Sequence, residues 1–145
     1  MRSLAVAISA VASLACAGAF ADSAGGNPGP APAHPDRSGA EVYAHICQGC
    51  HQPQAQGAAG AGRYPALAAD RTLVTWEAAA VTVLLGRHAM PAFGKPADPA
   101  FVFGEVHLSD AEIAAVVNFV RSHFGNQYQD KATAEKVAAL PHPIG

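Results

Sequence analysis

At 145 residues and a formal net charge of −2, the chain has room for one ordinary domain plus appendages. Half of it is hydrophobic, but much of that share is alanine, which buries little surface, and only 14% of residues are charged. No basic run or stripe is present, so nucleic-acid binding has no electrostatic support.

The chain opens like an export signal. Arg2 gives a positive start, and Leu4 to Phe20 is apolar apart from small residues such as Ser9, Ser13 and Gly18. Ala19-Phe20-Ala21 then forms the small-x-small pattern of a cleavage site, followed by Asp22. A bilayer span needs ~20 strongly apolar residues, and this stretch is short and alanine-heavy. Export with cleavage after Ala21, over residues 1–21, is therefore expected ahead of a membrane anchor. Lipidation at Cys16 is a lesser alternative, because Ser13 stands where a branched aliphatic residue is expected. Cleavage leaves Cys47 and Cys50 as the only thiols, with no further pair for a structural disulfide.

Residues 22–37 are rich in Gly, Pro and Ala and read as a linker. No internal repeat is visible, so one site is expected. Ser38 and Glu41 make a capping box for a short helix with Val42, Tyr43 and Ile46 on its apolar face, running directly into Cys47. Residues 52–63 are Gly/Ala/Gln-rich and predict a loop, followed by Pro65 and a core candidate, Leu67. A second helix is predicted over Trp76 to Leu85, with Thr75 as N-cap, Glu77 at its positive end and Gly86 as its stop. Pro91 and Gly94 make "RHAMPAFG" irregular. A longer loop over 95–108 carries the apolar patch Phe101-Val102-Phe103. The strongest helix starts at a second box, Ser109 and Glu112, with Ile113, Val116, Val117, Val120 and Phe124 at helical spacing and Gly125 as its end. A tail over 126–145 holds a short helix near Thr133 to Leu140, stopped by Pro141. No strand pair is convincing, so the expectation is an all-α domain over 38–125 with a thin core of its own.

The chemistry is concentrated in "CQGCH", Cys47 to His51. A structural zinc site needs four ligands, and no second Cys or His pair exists at matching spacing. A thioredoxin-like redox pair belongs beside a β-α-β pattern that this chain lacks. A plain disulfide leaves His51 unexplained. Covalent haem attachment uses all three residues: Cys47 and Cys50 add to the haem vinyl groups, and His51 is carried beneath the iron. Such attachment is made outside the cytoplasm, in keeping with export, and a large apolar macrocycle would fill the thin core. The sixth ligand is read as Met90, the only methionine left after cleavage, placed before Pro91 in a loop. His88 is its rival, because residues 88 and 90 of an extended loop point the same way. The histidines at 34, 45, 107, 123 and 142 read as surface or helix-flank residues.

With "CQGCH", "YPALA", "MPAFG" and "LSDAEIAAVVNFVRSHFGN" in this order, the chain resembles a class I, monohaem cytochrome c over about residues 38–125. The resemblance implies the cytochrome c fold, with N- and C-terminal helices packed around one covalent haem c. It implies thioethers at Cys47 and Cys50, with His51 and Met90 as axial ligands of the iron. Pro65 would offer its carbonyl to His51 Nδ1. Gly39 and Tyr43 would sit where the first helix crosses the last, near Phe119. The ending "FGNQYQDKATAEKVAAL" is similar to tails of cytochrome domains that serve periplasmic dehydrogenases, including multihaem subunits of quinoprotein alcohol dehydrogenases. This chain departs from them in its single haem motif, its "LPHPIG" end and its longer 95–107 loop.

The function expected is electron transfer and not catalysis: single electrons pass from a periplasmic dehydrogenase toward a terminal oxidase or another cytochrome. Membrane contact comes only through these partners, and weak charge patterning predicts mild salt dependence. The alternative is a peroxidase-like haem enzyme or gas sensor with a labile sixth ligand, in which His88 serves as the distal group. Whether the protein is a free carrier or a bound subunit is left open by the sequence.

Overall fold

In the computed structural model, residues 35–60, 62–96 and 106–144 are described. The export signal, most of segment 22–37 and the Phe101-Val102-Phe103 patch lie outside the described residues.

Ser38 starts the first helix with reciprocal bonds: its Oγ accepts from the Glu41 N–H, and the Glu41 carboxylate accepts from the Ser38 N–H at 2.8 Å. The helical run has three parts: α1 (Gly39–Val42), a π-helical segment (Tyr43–Cys47) and α2 (Gln48–His51). The sequence predicted the cap and the start but neither the π-helical widening nor the continuation through the cysteine pair.

The stretch expected as plain loop contains a small antiparallel pair. β1 (Ala58–Ala59) faces β2 (Arg63–Tyr64), with Ala58 opposite Tyr64 and Ala59 opposite Arg63. The Gly60 N–H bonds the Gly62 carbonyl at 2.9 Å inside the turn. This corrects the all-α expectation: the regular structure among the described residues is mostly helical, but it includes one short β pair. Strands of two residues, Ala-Ala and Arg-Tyr, are too short to carry an alternating pattern, so nothing in the sequence marked them. A single 3₁₀ turn, Arg71–Val74, follows, capped by Asp70, which accepts from the Thr72 N–H at 2.8 Å.

The helix α3 (Trp76–Leu85) begins and ends where predicted, although the Thr75 side chain makes no capping bond. Gly86, at φ +73°, ends it. The helix α4 (Asp110–Ser122) starts with the Ser109–Glu112 box but stops short of Gly125. His123 is already extended, and Phe124 and Gly125 turn into the left-handed region. The last helix, α5 (Ala134–Ala138), is capped by Thr133.

The helix α4 is the hub, packing against α1, α3 and α5. Its Ile113, Val116, Val117 and Val120 meet Val42, Trp76, Leu84 and Val137 in one core. At Gly39, an added Cβ would collide with the Ala115 carbonyl, so α1 and α4 touch backbone to backbone. Tyr43 lies beside this crossing, its ring 5.8 Å from Phe119 and 4.8 Å from Phe124. Asp36 and Arg37, at the end of segment 22–37, bond Ser109 Oγ and Glu112. The tail is wound onto the domain. Arg121, 1% exposed, donates to the carbonyls of Leu73, Val74 and Asp130 and to the Asp130 carboxylate. Asn118 bonds both backbone groups of Ala132, and Tyr128 donates to the Asp70 carbonyl.

Candidate functional site

The first half of the site is built around His51, at the end of α2 and 8% exposed. Its Nδ1 lies 3.0 Å from the Pro65 carbonyl oxygen. A carbonyl can only accept, so Nδ1 carries the hydrogen and the lone pair is left on Nε2. Local structure fixes this partner. The Gly57 N–H bonds the His51 carbonyl at 3.0 Å, and β1 and β2 bring Tyr64 and Pro65 back across it. Gly57 adopts φ +68°, and a Cβ there would come within 2.7 Å of the Pro65 carbonyl carbon and 2.6 Å of the Ala66 nitrogen. Glycine is therefore required on two counts: the backbone angle and the close approach. The Leu67 and Ala68 N–H groups both bond the Ala55 carbonyl, and Tyr43 Oη donates to the Gln52 carbonyl at 2.7 Å, closing the loop on the π-helical segment.

Cys47 ends the π-helical segment and Cys50 lies one turn on, in α2; both are free thiols, Cys47 partly buried and Cys50 exposed. Burial, with a smaller contribution from Cys50, pushes the Cys47 thiol up to about 11. A thiol held neutral is a poor attacking group, which weighs against thiol–disulfide exchange. Among the described residues, no cluster of three or more His, Cys, Asp or Glu side chains could hold a metal ion.

The second half lies after α3. Arg87 and Met90 exchange both backbone bonds, at 3.0 and 2.9 Å, around His88 and Ala89. This is a tight turn with His88 at φ +53°, so the extended loop that made His88 and Met90 equivalent is not what forms. His88 is exposed at the tip, and Met90 is partly buried at the base. Gly86 repeats the device of Gly57: its missing Cβ would stand 2.6 Å from the Met90 carbonyl oxygen and 2.8 Å from Pro91 and Ala92 atoms. Beyond Pro91 the chain is tied to the last turn of α3, Phe93 N–H to the Val83 carbonyl (2.9 Å) and Gly94 N–H to the Leu84 carbonyl (3.1 Å). The structure thus places His51 at the end of α2 and Met90 in the turn after α3, with no hydrogen bond between them.

A family model described as "Cytochrome c" matches residues 37–124, more than half of the chain. The chain belongs to the cytochrome c family. This cytochrome is also 32% identical over 105 residues to the "Alcohol dehydrogenase (quinone), cytochrome c subunit" of Gluconobacter oxydans (strain 621H). That match covers 71% of this chain and 22% of the relative, so the chain spans about a fifth of the relative's length. Membership of the family implies covalently bound haem, and the side chains fit it: two uncommitted thiols stand one turn apart, directly before a buried imidazole whose Nδ1 is engaged and whose Nε2 is left to coordinate. The Pro65 carbonyl that the resemblance set beside His51 Nδ1 is there, but the glycines beneath the two candidate-ligand segments were missed. Gly86 was read as a helix stop, which it is, and not as the seat of the Met90 loop. Gly57 gave no signal among its alanine and glycine neighbours.

Proposed function

We propose that this cytochrome is an exported monohaem carrier of single electrons, taking them from a periplasmic dehydrogenase and passing them to a terminal oxidase or another cytochrome. In this reading residues 1–21 are a cleaved signal, 22–37 a linker, 38–125 the haem domain and 126–145 its tail, and the domain's helices pack around one haem c. Bound haem supplies a one-electron couple at its iron. The chain's own residues do the rest. Cys47 and Cys50 would tether the macrocycle through thioethers, and His51 Nε2 and Met90 Sδ would be the chain's ligands to its iron. The Pro65 carbonyl holds the His51 ring against rotation and raises the basicity of Nε2. A soft thioether at the sixth position favours the reduced iron and so raises the potential.

The observation that carries this reading is the 3.0 Å contact of buried His51 Nδ1 with Pro65. It leaves one imidazole nitrogen poised for metal directly after two unlinked thiols. The turn geometry adds support at the other face, since Met90 is partly buried where His88 is exposed. Similarity to a subunit of a quinone alcohol dehydrogenase supports a dehydrogenase as donor. Among the described residues no helix is long and apolar enough to cross a membrane.

Purified exported protein should keep its colour in the polypeptide fraction after acid–acetone extraction. Its ferric spectrum should contain the weak charge-transfer band of methionine-ligated haem. Met90→Ala should lose that band, keep haem attached and bind cyanide or carbon monoxide readily, while His88→Ala keeps the wild-type spectrum. Colour leaving with the acetone would refute covalent attachment. A high-spin wild-type spectrum with rapid peroxide turnover would replace the carrier by a haem enzyme.

A further inference from the structure

The last described residues of the tail return to the loop that carries Met90. His142 Nδ1 lies 2.8 Å from the Leu140 carbonyl oxygen, and Nε2 lies 2.9 Å from Asp110 Oδ1 at the start of α4. Both partners are acceptors while Asp110 is ionised, and a neutral imidazole has only one N–H. The two bonds are complete together only in the imidazolium. The next residue, Pro143, is packed on Gly94: a Cβ on Gly94 would stand 3.0 Å from Pro143 Cδ and 2.9 Å from Leu84. Gly94 is buried, and its N–H and carbonyl are already bonded to the Leu84 carbonyl and to His107 Nδ1. The proline ring therefore covers the segment that follows Met90, at a residue four positions on.

We propose that His142 is a positioning residue for the Met90 loop: as the imidazolium bridging Leu140 and Asp110, it seats Pro143 on Gly94 and holds the segment after Met90 against α3. This rests on Met90 as axial ligand only for its effect on the iron; the strap itself is a property of the chain. Hydrogen bonding to Asp110, foremost, raises the His142 value above that of an ordinary histidine, and burial opposes it. The latch is thus complete below the ordinary histidine range and is lost as pH rises through the raised value. The other charged groups nearby are committed or lie farther along the chain. On α4, Glu112 is paired with Arg37, and Asp36 is bonded to Ser109 Oγ. On the loop, His107 bonds Gly94, while Lys95 and Arg87 are exposed. The His142 and Asp110 side chains are 27% and 34% exposed, so the latch shifts the opening equilibrium by about two- to fivefold and not by orders of magnitude.

Amide hydrogen exchange at Phe93 and Gly94 in the haem-loaded ferric protein tests this, with rates corrected for intrinsic base catalysis. In wild type, both should exchange about two- to fivefold faster at mildly alkaline than at mildly acidic pH. His142→Gln, which cannot make both bonds with one titrating ring, should show the faster rate throughout and no step. Pro143→Gly should show it too, while keeping the titration of His142. Unchanged protection of the Val120 amide in α4 separates loop opening from unfolding. Wild-type protection in both variants at mildly acidic pH would overturn the proposal, as would a pH step that survives in His142→Gln. The methionine–iron charge-transfer band, followed in the same samples, judges the ligand separately: its absence from wild type at every pH would remove Met90 from the iron and leave the amide result to decide the strap.

Discussion

Single residues decide where the two candidate ligands stand, and the most demanding of them have no side chain. Gly57 and Gly86 each combine a positive φ with a backbone approach that leaves no room for Cβ, one under Pro65 and the other under Met90-Pro91-Ala92. Gly86→Ala must strain its own backbone and also push the Met90 carbonyl away. The expected cost is about 1–3 kcal/mol of stability, together with loss or weakening of the methionine–iron band. A thermal melt and a ferric spectrum of the same sample measure both. A variant that loses stability but keeps the band unchanged would mean that Met90 does not depend on this seat. The candidate site was legible as a set of residue types, because chemistry restricts their kind and order: thiols, imidazole and thioether announce themselves. Their glycine supports were not, since the need for a missing Cβ arises from a neighbour distant in sequence.

At the scale of elements, the two capping boxes were legible because Ser and Glu three apart act within one turn, and no tertiary contact is needed to see them. Local signals failed where packing intervened. The π-helical segment Tyr43–Cys47 contains the aromatic that packs on Phe119 and Phe124, and α4 ends at Ser122 because His123 is already extended and Phe124 turns left-handed. The Glu112 box also does more than cap. Its carboxylate accepts from Ser109 N–H at 3.0 Å and from the Arg37 side chain at 2.5 Å, tying the residue before α1 to the first turn of α4. Burial works to raise its carboxyl, but the hydrogen bonds from Arg37 and Ser109 prevail and hold it below the usual carboxylate range. A lowered folded value means that its stabilisation is whole above the unfolded value and disappears as pH falls through the folded one. Glu112→Gln, which keeps the cap but not the charge, should cost about 0.5–1.5 kcal/mol at neutral pH. Urea midpoints of the two proteins should converge in acid, as pH falls through the lowered folded value. A constant gap across that range would show that the charge contributes nothing.

For the whole molecule, the question is what the chain can hold together by itself. Four of the fourteen buried hydrophobic residues among those described are alanine, and the larger ones gather around α4, with Ile46 and Cys47 packed against their edge. The tail compensates in part: Ala132 and Val137 join the core, Arg121 anchors Asp130, and Lys136 lies over the Trp76 ring at 5.6 Å. Among the described residues, the segments that carry the candidate ligands are covered less, apart from Pro143 on Gly94. Tyr64, beside Pro65, is 38% exposed, and Leu85, beside Gly86, is 42% exposed. A domain of this size with so little apolar volume sits below what a single core ordinarily supports, unless a metal centre or covalent staple adds to it. Replacing Cys47 and Cys50 together by alanine removes the tether while changing only one buried or half-buried volume slightly, since Cys50 is exposed. If haem completes the core, this variant should lose its cooperative thermal transition and much of its far-ultraviolet helical signal, leaving residual structure where α4 meets α5 and the tail. If the chain is self-sufficient, it should melt as sharply as wild type and within a few degrees of it. The first outcome makes the macrocycle part of the fold, and the second makes it a passenger.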